Sequence, residues 1–164
     1  MRDIIITLPR KIIVKILLGK KSCECRKTVP PIVYEQTRIW FVEKGTHYVR
    51  GNFTVRNITE HHDYKQMWDI YAKSICVKED WFDNYAKTAK NGLYLWHIHK
   101  VYMCENNVGL KEYFGIEKNP QNYAFRKKYP FVSTVLMQAW NKESCVLMKP
   151  SEFELKAKGK KAVQ

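Results

Sequence analysis

The 164-residue chain is 45% hydrophobic and 13% aromatic, which excludes a disordered polymer and allows one domain with a packed core but not two. Its formal charge of +13 favours a polyanionic partner, nucleic acid first among them. No apolar stretch approaches the ~20 residues of a membrane span, and five cysteines in no regular framework do not make a disulfide scaffold.

The opening apolar run is only five residues long and is flanked by Arg2, Asp3, Arg10 and Lys11, which is not a secretory signal. A reduced, cytoplasmic protein without membrane association is the expectation. The charge is unevenly spread. Residues 1–28 carry eight basic side chains against Asp3 and Glu24, and residues 126–164 carry nine against Glu143, Glu152 and Glu154. The middle of the chain is nearly neutral.

Residues 2–8, with the Ile4–Ile6 triplet bounded by Pro9, read as a buried strand. Pro9 suits the first turn of a helix. Ile12, Ile13, Ile16 and Leu17 then recur at helical spacing, with Lys11 and Lys15 on the other side, and Gly19 can end the helix in a left-handed conformation.

Gly19-Lys20-Lys21-Ser22-Cys23-Glu24-Cys25-Arg26-Lys27 follows as a loop turning into a short strand. Alternation puts Lys21, Cys23 and Cys25 on one face and Ser22, Glu24 and Arg26 on the other. A carboxylate two residues before a guanidinium can orient it and leave its other donors free, with Lys21 as a mobile cation at the entrance. This cluster suits an anionic ligand, although such a pair is also common on solvated surfaces.

Pro30-Pro31 breaks the chain. Residues 37–43 and 47–57 then form a hairpin around Lys44-Gly45-Thr46, with Val49, Phe53 and Val55 inward and Arg50, Asn52, Thr54 and Arg56 outward. Gly51 on the inward face predicts a bulge, a bend or a close backbone approach. Residues 63–73 and 78–89 read as helices, the first capped by Asp63 with Tyr64, Met67, Ile70 and Tyr71 as its apolar side. Residues 92–104 form the longest strand. Residues 131–138 are strand or helix, and from Glu154 onward the chain reads as a disordered basic tail.

The Gly19-x-Lys21-x-x-Glu24-x-Arg26 pattern after an apolar helix resembles the signature of the ASCH domain family. Ile4–Pro9, the Arg38–Val42 and Val49–Val55 strands, Val108–Ile116 and Pro120–Tyr123 resemble further family segments, the last two being similar to an uncharacterised bacterial and phage branch. The resemblance covers residues 1–125. It implies an α+β, PUA-like small mixed or antiparallel β-barrel with flanking helices. A single domain over 1–150 with a tail at 151–164 is expected.

The expected function is binding of RNA or a nucleotide-like ligand through a basic cleft. Lys20, Lys21, Arg26 and Lys27 would supply the cations, and Tyr123 the ligand-facing ring. Trp68, Trp81 and Phe82 would pin the helices to the barrel. The resemblance also implies an alternative, because some ASCH relatives hydrolyse acylated nucleosides or RNA. Lys21 and Glu24 fall where the signature places its lysine and acidic residue, but the amidohydrolase relatives carry a hydroxyl residue at the Glu24 position. A second alternative is a small regulator that binds an acidic protein. Cys23-x-Cys25 and His97-x-His99 lack zinc-knuckle spacing, so no metal or other cofactor is expected. A cysteine–histidine nucleophile lacks an orienting third residue.

Overall fold

The computed structural model describes residues 3–125 and 145–147. The segments predicted at 131–138 and from 154 onward lie outside them.

Strand β1 (Ile4–Leu8) leads through Pro9 into α1 (Arg10–Leu17). Pro9 is the N-cap rather than part of the first turn. Gly19 adopts φ 72°, and the N–H groups of Gly19, Lys20 and Lys21 donate back to carbonyls of the last helical turn. That left-handed closure needs no Cβ, and it directs the chain into β2 (Cys23–Arg26).

After a Pro-containing loop come β3 (Ile39–Glu43) and β4 (Tyr48–His61). The helices α2 (Tyr64–Ile75) and α3 (Glu79–Lys87) then form an insert, followed by β5 (Leu93–Gly109), α4 (Leu110–Phe114), β6 (Ala124–Phe125) and β7 (Cys145–Leu147). The strands make one mixed sheet in the order β2-β5-β4-β3-β1-β6, curled into a half-barrel. The β1–β3 pair is parallel and the others are antiparallel. β2 covers the first part of one edge of β5, and β7 covers a later part.

Both faces of the sheet are buried. Ile4, Ile6, Ile39, Phe41, Phe53, Val55 and Trp96 pack with α1 on one face. Ile5, Trp40, Val42, Val108, Leu110 and Phe114 form a second cluster on the other. This explains the unbroken Ile triplet, since a strand covered on both sides needs no polar alternation. A third cluster holds Cys23, Cys25, Leu93 and Leu95 against Met67, Ile75, Phe82 and Ala86 of the helical insert.

Three sequence-based placements change. Asn52 and Thr54, expected outward, are 2% and 6% exposed; Asn52 lies opposite Trp40 of the second cluster, and Thr54 Oγ1 accepts from the Lys100 N–H. Val49 packs in that second cluster and not with Phe53 and Val55, because the β4–β5 register shifts between Val49 and Gly51 and inverts the alternation. Gly51 sits at this shift, where a Cβ would lie 2.2 Å from the Tyr102 carbonyl oxygen and 2.7 Å from Phe41 Cζ. Ile70 is 63% exposed, and the buried positions of α2 are Met67 and Ile75.

Candidate nucleotide-binding cleft

The last three backbone carbonyls of the α2 segment organise the site. A helix C-terminus leaves such groups without intrahelical partners and carries partial negative charge. Ser74 O accepts from the backbone N–H of Ser22 at 3.0 Å. Ile75 O accepts from Lys21 Nζ at 2.7 Å, and Cys76 O accepts from Lys15 Nζ at 2.8 Å. Cys76 is left-handed at φ 57°, an uncommon conformation for a residue with a Cβ, and it ends the helix beside these two lysines. Lys21 is thus not the mobile cation expected at the strand entrance. It is 3% exposed and caps a helix.

Glu24 completes the cluster. Its carboxylate lies 3.4 Å from Lys21 Nζ through Oε2 and accepts from Arg26 Nε at 2.8 Å through Oε1. The alternation of β2 places Cys23 and Cys25 against the insert and Glu24 and Arg26 opposite, while Lys21 turns towards Glu24. Arg26 spends one donor on Glu24, its guanidinium carbon stands 6.0 Å from the Trp96 ring centroid, and its four terminal N–H groups are otherwise uncommitted among the described residues. The orienting role read from the Glu24-x-Arg26 spacing is the observed geometry.

These residues wall a cleft of about 410 Å³ between α1, β2 and the α2–α3 junction. Among the described residues its cations are Lys11, Lys15, Lys21, Arg26 and Lys78, against the single carboxylate of Glu24. Apolar side chains, including Leu8, Ile12 and Val77, form the rest, with Trp81 and Tyr85 from α3. A volume of this order fits a small ligand rather than a second macromolecular surface.

Of the residues singled out in the sequence, the cleft brings together Lys21, Glu24 and Arg26. Lys20 is exposed and outside its walls. Lys27 is also outside, bonded to Thr88 Oγ1 and 4.4 Å from the Tyr85 ring centroid. Tyr123 packs half-buried against the main core cluster, away from the cleft lining. Trp81, expected to pin the insert, is 49% exposed, while Trp68 and Phe82 do pin it, with ring centroids 4.9 Å apart. The missed residues were available as signals. Lys11 and Lys15, and Trp81 and Tyr85, are i, i+4 pairs on single helix faces.

Thiol chemistry is disfavoured. Cys25 lines the cleft, but burial, reinforced by Glu24, pushes its thiol up to about 12, so no thiolate nucleophile is present near neutrality. Cys23 Sγ lies 3.4 Å from His97 Nδ1, a pair that sequence spacing had not joined, yet burial raises this thiol too. His97 Nε2 and His61 Nε2 both meet Thr59 Oγ1, at 2.9 and 2.8 Å, in a structural chain under α2. Among the described residues no group of three or more His, Cys, Asp or Glu side chains could hold a metal ion, and no helix there is long and apolar enough to cross a membrane.

No protein-family model and no curated protein sequence matches the chain. Solved structures do. The ASCH protein of Zymomonas mobilis superposes with a TM-score of 0.66 at 18% identity, over 84% of this chain and 94% of that one. A serine-to-alanine variant of it gives 0.69 at 18% identity over the same shares. A tyrosine-to-phenylalanine variant gives 0.66 at 19%, over 85% of this chain and 98% of that one. Together with the curled mixed sheet and its flanking helices, this shows an α+β fold of the PUA-like kind. Within that class the fold is that of an ASCH domain.

Proposed function

We propose that the domain binds RNA or a nucleotide-like ligand in the cleft walled by Lys21, Glu24 and Arg26. The observation that carries this reading is a ligand-sized cleft whose described lining has five cations and one carboxylate, in which that carboxylate orients a guanidinium through its Nε–H and leaves the terminal donors for a ligand. Arg26 would grip phosphate in the planar geometry guanidinium groups favour. Lys21 and Lys15, tied to helix carbonyls, each keep donors for a second oxygen. Lys11 and Lys78 add long-range attraction.

The test is the salt dependence of binding to a short single-stranded RNA. Three to five phosphate contacts correspond to a log–log slope of roughly −2 to −3.5, and Arg26→Ala should weaken binding and flatten that slope. Salt-independent binding, or none, would overturn the reading.

A second reading is supported by the burial of both Lys21 and Glu24 beside the cleft. It is a hydrolase of RNA or of an acylated nucleoside that uses this pair in acid–base chemistry. Product formation from those two substrates separates it from a binding module.

A further inference from the structure

Trp81 is the largest side chain that the described fold leaves half in solvent, at 49% exposure. It is nevertheless well supported. Its indole lies nearly parallel to the Tyr85 ring, 13° apart with centroids separated by 4.9 Å, and its backbone N–H donates to Asp80 Oδ1 at 2.9 Å. Anchoring of the insert falls to its neighbour Phe82, which is 1% exposed. Trp81 therefore rests against Tyr85 outside the buried core, on the wall of a cleft that also carries Lys11, Lys15, Lys21, Arg26 and Lys78.

An indole with one face on a supporting ring has a second face for a flat partner, and the surrounding cations select an anionic one. An apolar peptide would have to desolvate those charges without compensating them. A nucleotide offers both a π-face and a phosphate.

We propose that Trp81, backed by Tyr85, stacks on an unpaired base, so that the ligand of the cleft is a nucleotide with a free base rather than a duplex. Such a nucleotide is either part of a single strand or a mononucleotide. This rests on the nucleotide reading of the cleft. It goes further by separating a base-stacking wall from the phosphate-binding wall at Lys21 and Arg26. In a duplex each base is sandwiched between its neighbours and cannot present a face to a ring in a cleft of about 410 Å³.

The experiment compares the full chain with Trp81→Ala and Trp81→Phe at one ionic strength. The ligands are single-stranded RNA of about eight nucleotides, the same sequence as a duplex, AMP, and ribose 5-phosphate, which lacks a base. Stacking contributes about 1–3 kcal/mol per base, so Trp81→Ala should weaken the base-bearing ligand by roughly 5- to 150-fold. Trp81→Phe should retain most of that affinity, ribose 5-phosphate should be unaffected, and the melting temperature should hold.

Loss confined to the oligonucleotide assigns the site to a polymer, and loss confined to AMP assigns it to a free nucleotide; both support the proposal. Salt-dependent RNA binding that is equal in parent and Trp81→Ala would overturn it while leaving the cleft reading intact. A preference for duplex, or an equal loss for ribose 5-phosphate, would also overturn it. If the parent bound none of the four ligands, the cleft reading itself would fall.

Discussion

Replacing Glu24 with Gln separates what this carboxylate does for the fold from what it does for a ligand. Glu24 is 6% exposed and stands between Lys21, itself 3% exposed, and Arg26. Gln keeps the shape and one oxygen for Arg26 Nε, but it turns an amide donor towards an ammonium and leaves two cations uncompensated. Removing one partner of a buried pair costs about 3–5 kcal/mol, and the retained Arg26 bond and the open side of the cleft place this change near 3 kcal/mol. In a domain of this size that corresponds to a fall in melting temperature of roughly 6–12 °C.

Affinity should move the other way. A phosphate held by Arg26 would sit on the order of 6 Å from the Glu24 carboxylate, where losing the repulsion between unit charges at intermediate dielectric gains about 1 kcal/mol, or roughly fivefold. Thermal melts and fluorescence anisotropy with one labelled RNA measure both effects. Chromatography of the same mixtures adds a third reading, because a catalytic Glu24 would lose about 10²-fold or more in turnover. An unchanged melting temperature with weakened RNA binding would refute the reasoning, because Glu24 would then contact the ligand rather than organise the cations.

Gly51→Ala forces a Cβ to 2.2 Å from the Tyr102 carbonyl oxygen, so it should cost about 1–3 kcal/mol, seen as a lower urea midpoint at an unchanged slope. Asp63→Ala removes the acceptor of the Gln66 N–H and should lower stability by about 1 kcal/mol, with the loss of protection in hydrogen exchange confined to α2. His61 and His97 are both held below the ordinary imidazole value of 6.5, chiefly by burial, with His62 acting on the first and His61 and then Arg56 on the second. The folded chain then binds fewer protons than the unfolded one, so the melting temperature should decline as pH falls below about 6.5 and level off once the folded state is protonated too. In the opposite range, burial raises Cys25 from 9.0 and Tyr85 from 10.0, each to about 12; the folded chain there binds more protons, and stability should decline as pH rises above about 9.

Features governed by local chemistry were legible in the sequence. Gly19 closes α1 because a left-handed residue was needed there, Asp63 caps α2 through its own carboxylate, and Gly51 marks a close backbone approach. Features governed by what lies on top of an element were not. Asn52 and Thr54 alternate as solvent-facing residues should, but both are buried, on a strand whose neighbourhood includes a cluster drawn from as far away in the chain as Ile5 and Phe114. Ile70 was misplaced by grouping apolar letters. At about 100° per residue it lies roughly 105° from the centre of the stripe through Tyr64, Met67, Tyr71 and Ile75. In the cleft, Lys21, Glu24 and Arg26 could be read together because they share one short segment. The i, i+4 spacing shows that Lys11 and Lys15, and Trp81 and Tyr85, share a helix face, but that these faces and Lys78 meet β2 follows only from the docking of α1 and α3.

The three carbonyls at the end of α2 also make the cleft conditional on the helical insert. Ser22 N–H, Lys21 and Lys15 are held by Ser74, Ile75 and Cys76, so any excursion that frees the insert from the sheet releases two ammonium groups and removes the wall that carries Trp81. The half-barrel could persist through such an excursion, since its strands pair with one another independently of α2 and α3. The measured dissociation constant is then the intrinsic one divided by the fraction of molecules with the insert seated. Ligand and insert are consequently linked, so an occupied cleft must shift the opening equilibrium of α2 towards the seated form by the same factor that a seated α2 strengthens occupancy.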